Sequence, residues 1–268
     1  MGGIRLVLID IDGTLLGPAG VPACAWEAAA RARAAGLHLG ICTGRPGRGF
    51  ALEYARRLDP EGLHIFESGA VVVSGEKIVQ SRVLPEAAYR RLHELSRLHG
   101  IPFEVYTAQG GFYRETDHPD LLAHETLLGF EAGVEDLAHP PGPVVRVQYL
   151  WRGAAWPPVR QAIRAMPGVE LHESTSPGMP GVGFSSVTAA GVSKRQAAEW
   201  VAAQMGLELK QVAMVGDGEN DLELIQAAGL GIAMGNAPAR VRAAADRVVA
   251  PVEACGLAQA LDLAVESM

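Results

Sequence analysis

The sequence predicts an α/β protein: a Rossmann-like, doubly wound parallel sheet with a smaller α+β domain inserted into it. Three observations carry that expectation. Short apolar runs alternate with Ala-, Leu- and Arg-rich stretches of helical period towards both ends of the chain, as strands buried on both faces and their covering helices do. Two of those runs end directly in groups of acidic residues, at 10–12 and 217–221. The middle of the chain abandons the alternation.

Residues 4–9 read as a buried strand. Residues 22–35 follow as a helix stopped by Gly36, then 37–42 as a second strand, a helix opened by Pro46 and running to Leu58, and a third strand over 63–66. The C-terminal part repeats the grammar: helix 194–205 with Gly206 behind it, strand 212–215, helix 222–228, strand 230–233, helix 238–245 and strand 247–249. Between these parts, helix 86–99 stops at Gly100, and strand 103–106 leads through a Gly110-Gly111 turn into another strand. After the break at Pro140-Pro141-Gly142-Pro143 come strand 144–150, helix 159–165 and strand 169–172. The Pro-, Gly- and Ser-rich stretch 174–183 reads as a loop near a domain boundary. The expected domains are therefore 1–83 together with 185–268, and 84–184.

With 49% hydrophobic and 20% charged content over 268 residues, the chain reads as globular. Its net charge of -7, with Arg and Glu intermixed, leaves no basic stripe, so nucleic acid is not an expected partner. Cys24, Cys42 and Cys255 are odd in number and lack CxxC spacing; they read as reduced thiols packed as small core residues. The first apolar run meets acid too soon for a signal peptide, and no run of about 18 apolar residues follows. The expectation is a soluble, cytoplasmic protein with no membrane partner. The eight histidines show no HExxH pairing, and neither GxxxxGK[ST] nor GxGxxG is present, which disfavours zinc hydrolase, kinase and dehydrogenase readings. Nothing in the sequence fixes an oligomeric state.

The chemistry lies at the strand ends. Asp10-Ile11-Asp12-Gly13-Thr14 closes the first strand, where alternation lets both carboxylates face one side, one to attack and the other to move protons. Gly13 permits the sharp turn behind them. Val215-Gly216-Asp217-Gly218-Glu219-Asn220-Asp221 closes a later strand and opens a helix. Carboxylates from the two clusters, brought together, repel unless a hard cation sits among them, and Mg²⁺ suits oxygen ligands shared with a phosphate. Thr43-Gly44-Arg45 and Gly191-Val192-Ser193-Lys194 each mark a strand-to-helix or loop-to-helix junction, where a hydroxyl, backbone N–H groups and a lysine suit phosphate oxygens.

Taken in order, these four segments resemble the four motifs of haloacid-dehalogenase-like (HAD) phosphatases: Asp10 and Asp12 match the first, Thr43 the second, Lys194 the third, and Asp217 with Asp221 the fourth. Gly235-Asn236-Ala237, Ala244-Ala245-Asp246 and Gly256-Leu257-Ala258 are similar to the C-terminal segment of the Cof-like branch. Glu67-Ser68-Gly69-Ala70 departs from that branch, which usually carries Asn before the glycine. The resemblance implies that Asp10 is the nucleophile and Asp12 the acid and base. It places Mg²⁺ on Asp10, the backbone carbonyl of Asp12, and Asp217, with Asp221 as a ligand or a support. Thr43, Gly44 and Lys194 would bind phosphate, and Asn220 would orient the phosphate or Lys194. The α+β insert, placed after the second motif, would be a cap that reads the substrate. Arg45 is a candidate substrate contact, and Arg114, Glu115 and His118 are further polar groups available for that task.

The expected activity is Mg²⁺-dependent hydrolysis of a small phosphorylated metabolite, a sugar phosphate above all. A phosphomutase or phosphotransferase would use the same Asp10 and differ only in the acceptor. A receiver-type phospho-acceptor domain would be shorter, would have no cap, and would not need Asp12. A catalytically silent binding protein would not need the intact set of Asp10, Asp12, Lys194 and Asp217.

Overall fold

The structure is a computed structural model and describes residues 2–176 and 178–268. Pro177, inside the expected loop 174–183, lies outside the described residues. In chain order the elements are β1 (Leu6–Ile9), α1 (Ala23–Ala34), β2 (His38–Ile41), α2 (Gly49–Leu58), β3 (Leu63–Phe66), β4 (Val71–Ser74) and β5 (Lys77–Ser81). They continue with α3 (Glu86–His99), β6 (Phe103–Thr107), β7 (Phe112–Arg114), α4 (Pro119–Leu128), β8 (Gly133–Val134), β9 (Val144–Trp151), α5 (Trp156–Arg164), β10 (Val169–Thr175) and β11 (Gly183–Ala189). The last are α6 (Lys194–Gln204), β12 (Val212–Gly216), α7 (Leu222–Ala227), β13 (Leu230–Ala233), α8 (Ala239–Ala244), β14 (Arg247–Val248) and α9 (Gly256–Glu266).

Two compact units divide the chain. The first holds the chain up to Arg45, Ala51–Lys77 and Ser193–Met268; the second holds Pro46–Phe50 and Ile78–Val192. The expected break at 184 falls inside β11, which pairs antiparallel with both β9 and β10. The stretch 174–183 is thus mostly a hairpin connection within the second unit. Loop composition alone does not distinguish that from a linker.

The first unit is built on a parallel sheet of order β14-β13-β12-β1-β2. An isolated parallel bridge between Cys42 and Ile65 links it to the β3–β4 hairpin. β1 is buried throughout, which is why its sequence, LVLI, is apolar at every position. Its Leu6 and Leu8 join Val212 and Met214 of β12 in one cluster with Ala197, Ala198, Val201 and Ala202 of α6 and Leu224 and Ile225 of α7. By strand alternation Val7 and Ile9 point to the opposite face. On the other side of the cluster's sheet, α1 and α9 pack together, α1 meeting β2 and α9 meeting β12. The sheet is therefore covered on both faces, the doubly wound arrangement expected from the sequence. From β1 the chain winds outward to β2, and from β12 outward the other way to β13 and β14. The crevice beyond the carboxyl ends of β1 and β12 is the switch point where such sheets bind ligands.

Cys24 and Cys255 form a disulfide, with Cα atoms 6.1 Å apart. This corrects the expectation of three reduced thiols: the first turn of α1 and the residue before α9 meet in space although 231 positions separate them in sequence. Cys42 is a free, buried thiol. Of the described residues, no helix is long and apolar enough to cross a membrane.

The second unit is an α+β fold. Its sheet has the order β10-β11-β9-β6-β7-β8. One face carries Phe103, Val105, Val147, Tyr149 and Val187, packed against Tyr89, Leu92 and Leu95 of α3 and Trp156, Val159 and Ile163 of α5. α3 ends where expected, at Gly100 in the left-handed conformation (φ 61°).

Candidate active site

Register places the reactive groups. Leu6 to Ile9 pair with Val212 to Val215 on one side and with His38 to Ile41 on the other, so Asp10 is level with Gly216 and Cys42. The residues that follow, Asp217 and Thr43, therefore leave the sheet beside it. The Asp10 N–H still donates to the Val215 carbonyl (3.0 Å), after which the chain turns, with Thr14, Leu15 and Leu16 all donating to Ile11 O. Gly13 stands in that turn at φ +81°, and a Cβ there would lie 2.1 Å from Asp217 Oδ2. Only glycine satisfies both the conformation and the approach.

Lys194 joins the two acidic clusters. Its Nζ donates to Asp10 Oδ1 (2.7 Å) and Asp221 Oδ1 (2.6 Å). All three residues are buried, Asp221 fully. The lysine opens α6, whose first turn is capped by Ser193 Oγ accepting from Gln196 N (3.2 Å). Asp221 braces its own loop with the other oxygen, Oδ2 accepting from the N–H groups of Asp217 (3.2 Å) and Gly218 (2.9 Å). Carboxylate oxygens of Asp10, Asp217 and Asp221 all lie within 4.8 Å of one another.

The Asp12 side chain is half exposed and gripped by Arg45, whose Nε and second terminal nitrogen each donate to one carboxylate oxygen at 2.7 Å. This planar fork is the geometry for which a guanidinium is suited. Arg45, expected as a substrate contact, is thus already paired with Asp12. Thr43 is buried, its Oγ1 accepting from the Arg45 N–H (3.1 Å) and its carbonyl accepting from Ser68 N (3.0 Å). Gly44 lies against Ser68, since a Cβ on it would be 3.3 Å from Ser68 Oγ. Ser68 itself has φ +57°, a left-handed conformation that Asn tolerates better than Ser. Asn220 is exposed, its side-chain oxygen beside Gly218.

The electrostatics follow from burial without enough positive charge. Burial pushes the Asp10 carboxyl up to about 8 against the pull of Lys194, and Asp221 pushes the same way as burial. Asp217 is raised to about 6, first by burial and then by Asp221. Lys194 is raised because the attraction of Asp10 and Asp221 outweighs its own desolvation. Three acids share one lysine. A divalent cation matches this donor set: hard oxygens, close together, whose raised affinity for protons marks a place where positive charge is wanted.

Two groups that sequence reading did not assign take part. Thr14 Oγ1 donates to Asp217 Oδ1 (3.2 Å). Asn236 Nδ2 donates to Gly13 O (2.9 Å) and Asp217 Oδ2 (3.2 Å). Thr14 is legible as part of the DxDGT run; Asn236 is marked only by the Gly-Asn-Ala resemblance, which carries no role with it. The polar groups of the second unit serve its own fold. Arg114 pairs with Glu125 (2.5 Å) and Asp117, Glu115 bonds His93 (3.1 Å) and Leu137 N (3.1 Å), and His118 caps α4 by accepting from Asp120 N (3.1 Å).

A family model described as haloacid dehalogenase-like hydrolase matches residues 7–261. The chain is 26% identical to the 5-amino-6-(5-phospho-D-ribitylamino)uracil phosphatase YcsE of Bacillus subtilis, over 96% of this chain and 94% of the relative. It is also 26% identical to the pyridoxal phosphate phosphatase YbhA of Escherichia coli, over 91% and 93%. In fold it is similar to a haloacid dehalogenase-like hydrolase from Bacteroides thetaiotaomicron, with a TM-score of 0.83 at 24% identity, covering 97% of this chain and 99% of the other. The chain belongs to the haloacid dehalogenase-like hydrolases, and among them it is a phosphatase of the Cof-like branch.

Proposed function

We propose that this protein is a Mg²⁺-dependent phosphatase of small phosphorylated metabolites, sugar phosphates above all, working through an aspartyl-phosphate on Asp10. The observation that carries the reading is Lys194, buried between Asp10 and Asp221 at the switch point of the sheet. The names of YcsE and YbhA, each a phosphatase of a small phosphorylated molecule, support the substrate class.

Lys194 holds Asp10 Oδ1, which leaves the other oxygen to attack phosphorus. As the Asp10–phosphorus bond forms, the bond from phosphorus to the leaving oxygen breaks, and Asp12 gives that oxygen its proton. Asp12, now a carboxylate, takes a proton from water; the water oxygen attacks phosphorus and the Asp10 bond breaks, releasing phosphate. Arg45 occupies both Asp12 oxygens in this structure, so it must release one of them for Asp12 to carry the proton, while the other contact keeps the group oriented. Lys194 and the Thr43–Gly44 turn neutralise the equatorial oxygens of the phosphoryl group. Asp10, Asp217, Asp221 and the Asp12 carbonyl would hold Mg²⁺, which when bound supplies positive charge to the transferring phosphoryl group.

The test is phosphate release from p-nitrophenyl phosphate and a panel of phosphorylated metabolites, with Mg²⁺ and with EDTA. Asp10→Asn is expected to abolish Mg²⁺-dependent release. Turnover near that of the wild type would remove Asp10 as nucleophile.

A further inference from the structure

Asn236 follows β13 and touches three separate loops. Its Nδ2 donates to the Gly13 carbonyl in the turn after β1 and to Asp217 Oδ2 in the turn after β12. Its Oδ1 accepts from the N–H of Val252 (3.1 Å), in the turn that leads to Cys255. The amide thus has two donor contacts and one acceptor contact, although the side chain is open to solvent and water is available as an alternative partner. The backbone fixes where this amide stands: Gly235 N donates to Ala250 O (3.3 Å), and a Cβ on Gly235 would lie 2.8 Å from Val249 O.

The effect on Asp217 is specific. Thr14 donates to Oδ1 and Asn236 to Oδ2, so each carboxylate oxygen has one side-chain donor and rotation of the group is opposed from both ends. The same amide nitrogen ties Gly13 to Asp217 across the crevice between β1 and β12. We propose that Asn236 is a positioning residue, which orients the Asp217 carboxylate, fixes its spacing from the Asp12–Gly13 turn, and thereby sets the affinity of the centre for a divalent cation. The inference rests on the metal-dependent reading above. Neighbours that orient metal ligands commonly govern affinity in this way.

Two substitutions separate positioning from mere bracing. Asn236→Ala loses all three contacts. Asn236→Leu keeps the bulk of the side chain but can neither give a hydrogen to Gly13 O or Asp217 nor accept from Val252 N. Isothermal titration with Mg²⁺ alone, without substrate, is expected to show binding weakened on the order of 10-fold in both variants. In p-nitrophenyl phosphate assays the Mg²⁺ concentration for half-maximal rate should rise by a similar factor, while kcat at saturating Mg²⁺ stays close to that of the wild type. The thermal midpoint of Asn236→Leu in EDTA should stay near that of the wild type, because the side chain is exposed and water can take up the lost contacts. Wild-type or tighter Mg²⁺ affinity in either variant overturns the inference, as does a loss confined to kcat. A wild-type protein that neither binds Mg²⁺ nor releases phosphate would overturn the functional reading, and this inference with it.

Discussion

At the scale of single residues, Lys194 shows what the site demands. The residue is only 3% exposed and its ammonium lies between two carboxylates, so its own desolvation is offset by the pair it joins. Lys194→Met would keep the packing but leave Asp10 and Asp221 buried without their cation. The metal-free variant is expected to lose about 3–5 kcal/mol in urea unfolding, less whatever protonation of the two acids recovers, and to lose turnover. An unchanged unfolding midpoint would show that the two acids do not depend on the lysine. The nucleophile, the lysine and the fourth-motif aspartates were legible because each ends or opens an element in a short run of unusual composition. Arg45 with Asp12, and Asn236 with Asp217, were not. Those pairs are 33 and 19 positions apart, and nothing local in either partner names the other.

At the scale of elements, α6 exists partly to deliver Lys194. Ser193 accepts from Gln196 N and closes the first turn, so Ser193→Ala is expected to cost about 1 kcal/mol by chemical denaturation. A raised KM for phosphate esters should accompany that cost, because the loosened turn carries the lysine; a KM unchanged at reduced stability would confine Ser193 to capping. β1, β12 and β13 were readable as continuous apolar runs, since burial on both faces leaves no alternation to blur them. α4 was not. Its inward positions, Leu121, His124, Glu125 and Leu128, keep helical spacing, but two of the four are polar, so the apolar period is missing. α9 turns Gly256, Leu257, Ala260, Leu261 and Ala264 inward, a face too small in side chains to stand out in an Ala-rich chain. β11 escaped because its Ser- and Thr-containing run resembles a loop in composition.

At the scale of the whole molecule, the acidic centre makes stability depend on pH and metal together. The raised Asp10 and Asp217 bind their protons more tightly in the folded protein than in the unfolded chain, where carboxyls titrate near 3.8. Without metal, these two groups therefore cost the fold stability as pH rises from about 4, through about 6 for Asp217, to about 8 for Asp10. A cation removes that cost once the acids ionise. The difference in Tm between Mg²⁺ and EDTA should accordingly be small at pH 5 and larger at pH 8; a difference that shrinks with pH would contradict the assignment. The Cys24–Cys255 bond has a consequence of a topological kind. It closes residues 24 to 255 into one covalent ring, and the whole second unit, Pro46–Phe50 and Ile78–Val192, lies inside it. A single cut anywhere in that unit opens the ring without releasing a fragment, so the aspartates of the turn after β1 and those of the turn after β12 stay on one molecule after the chain between them has been severed.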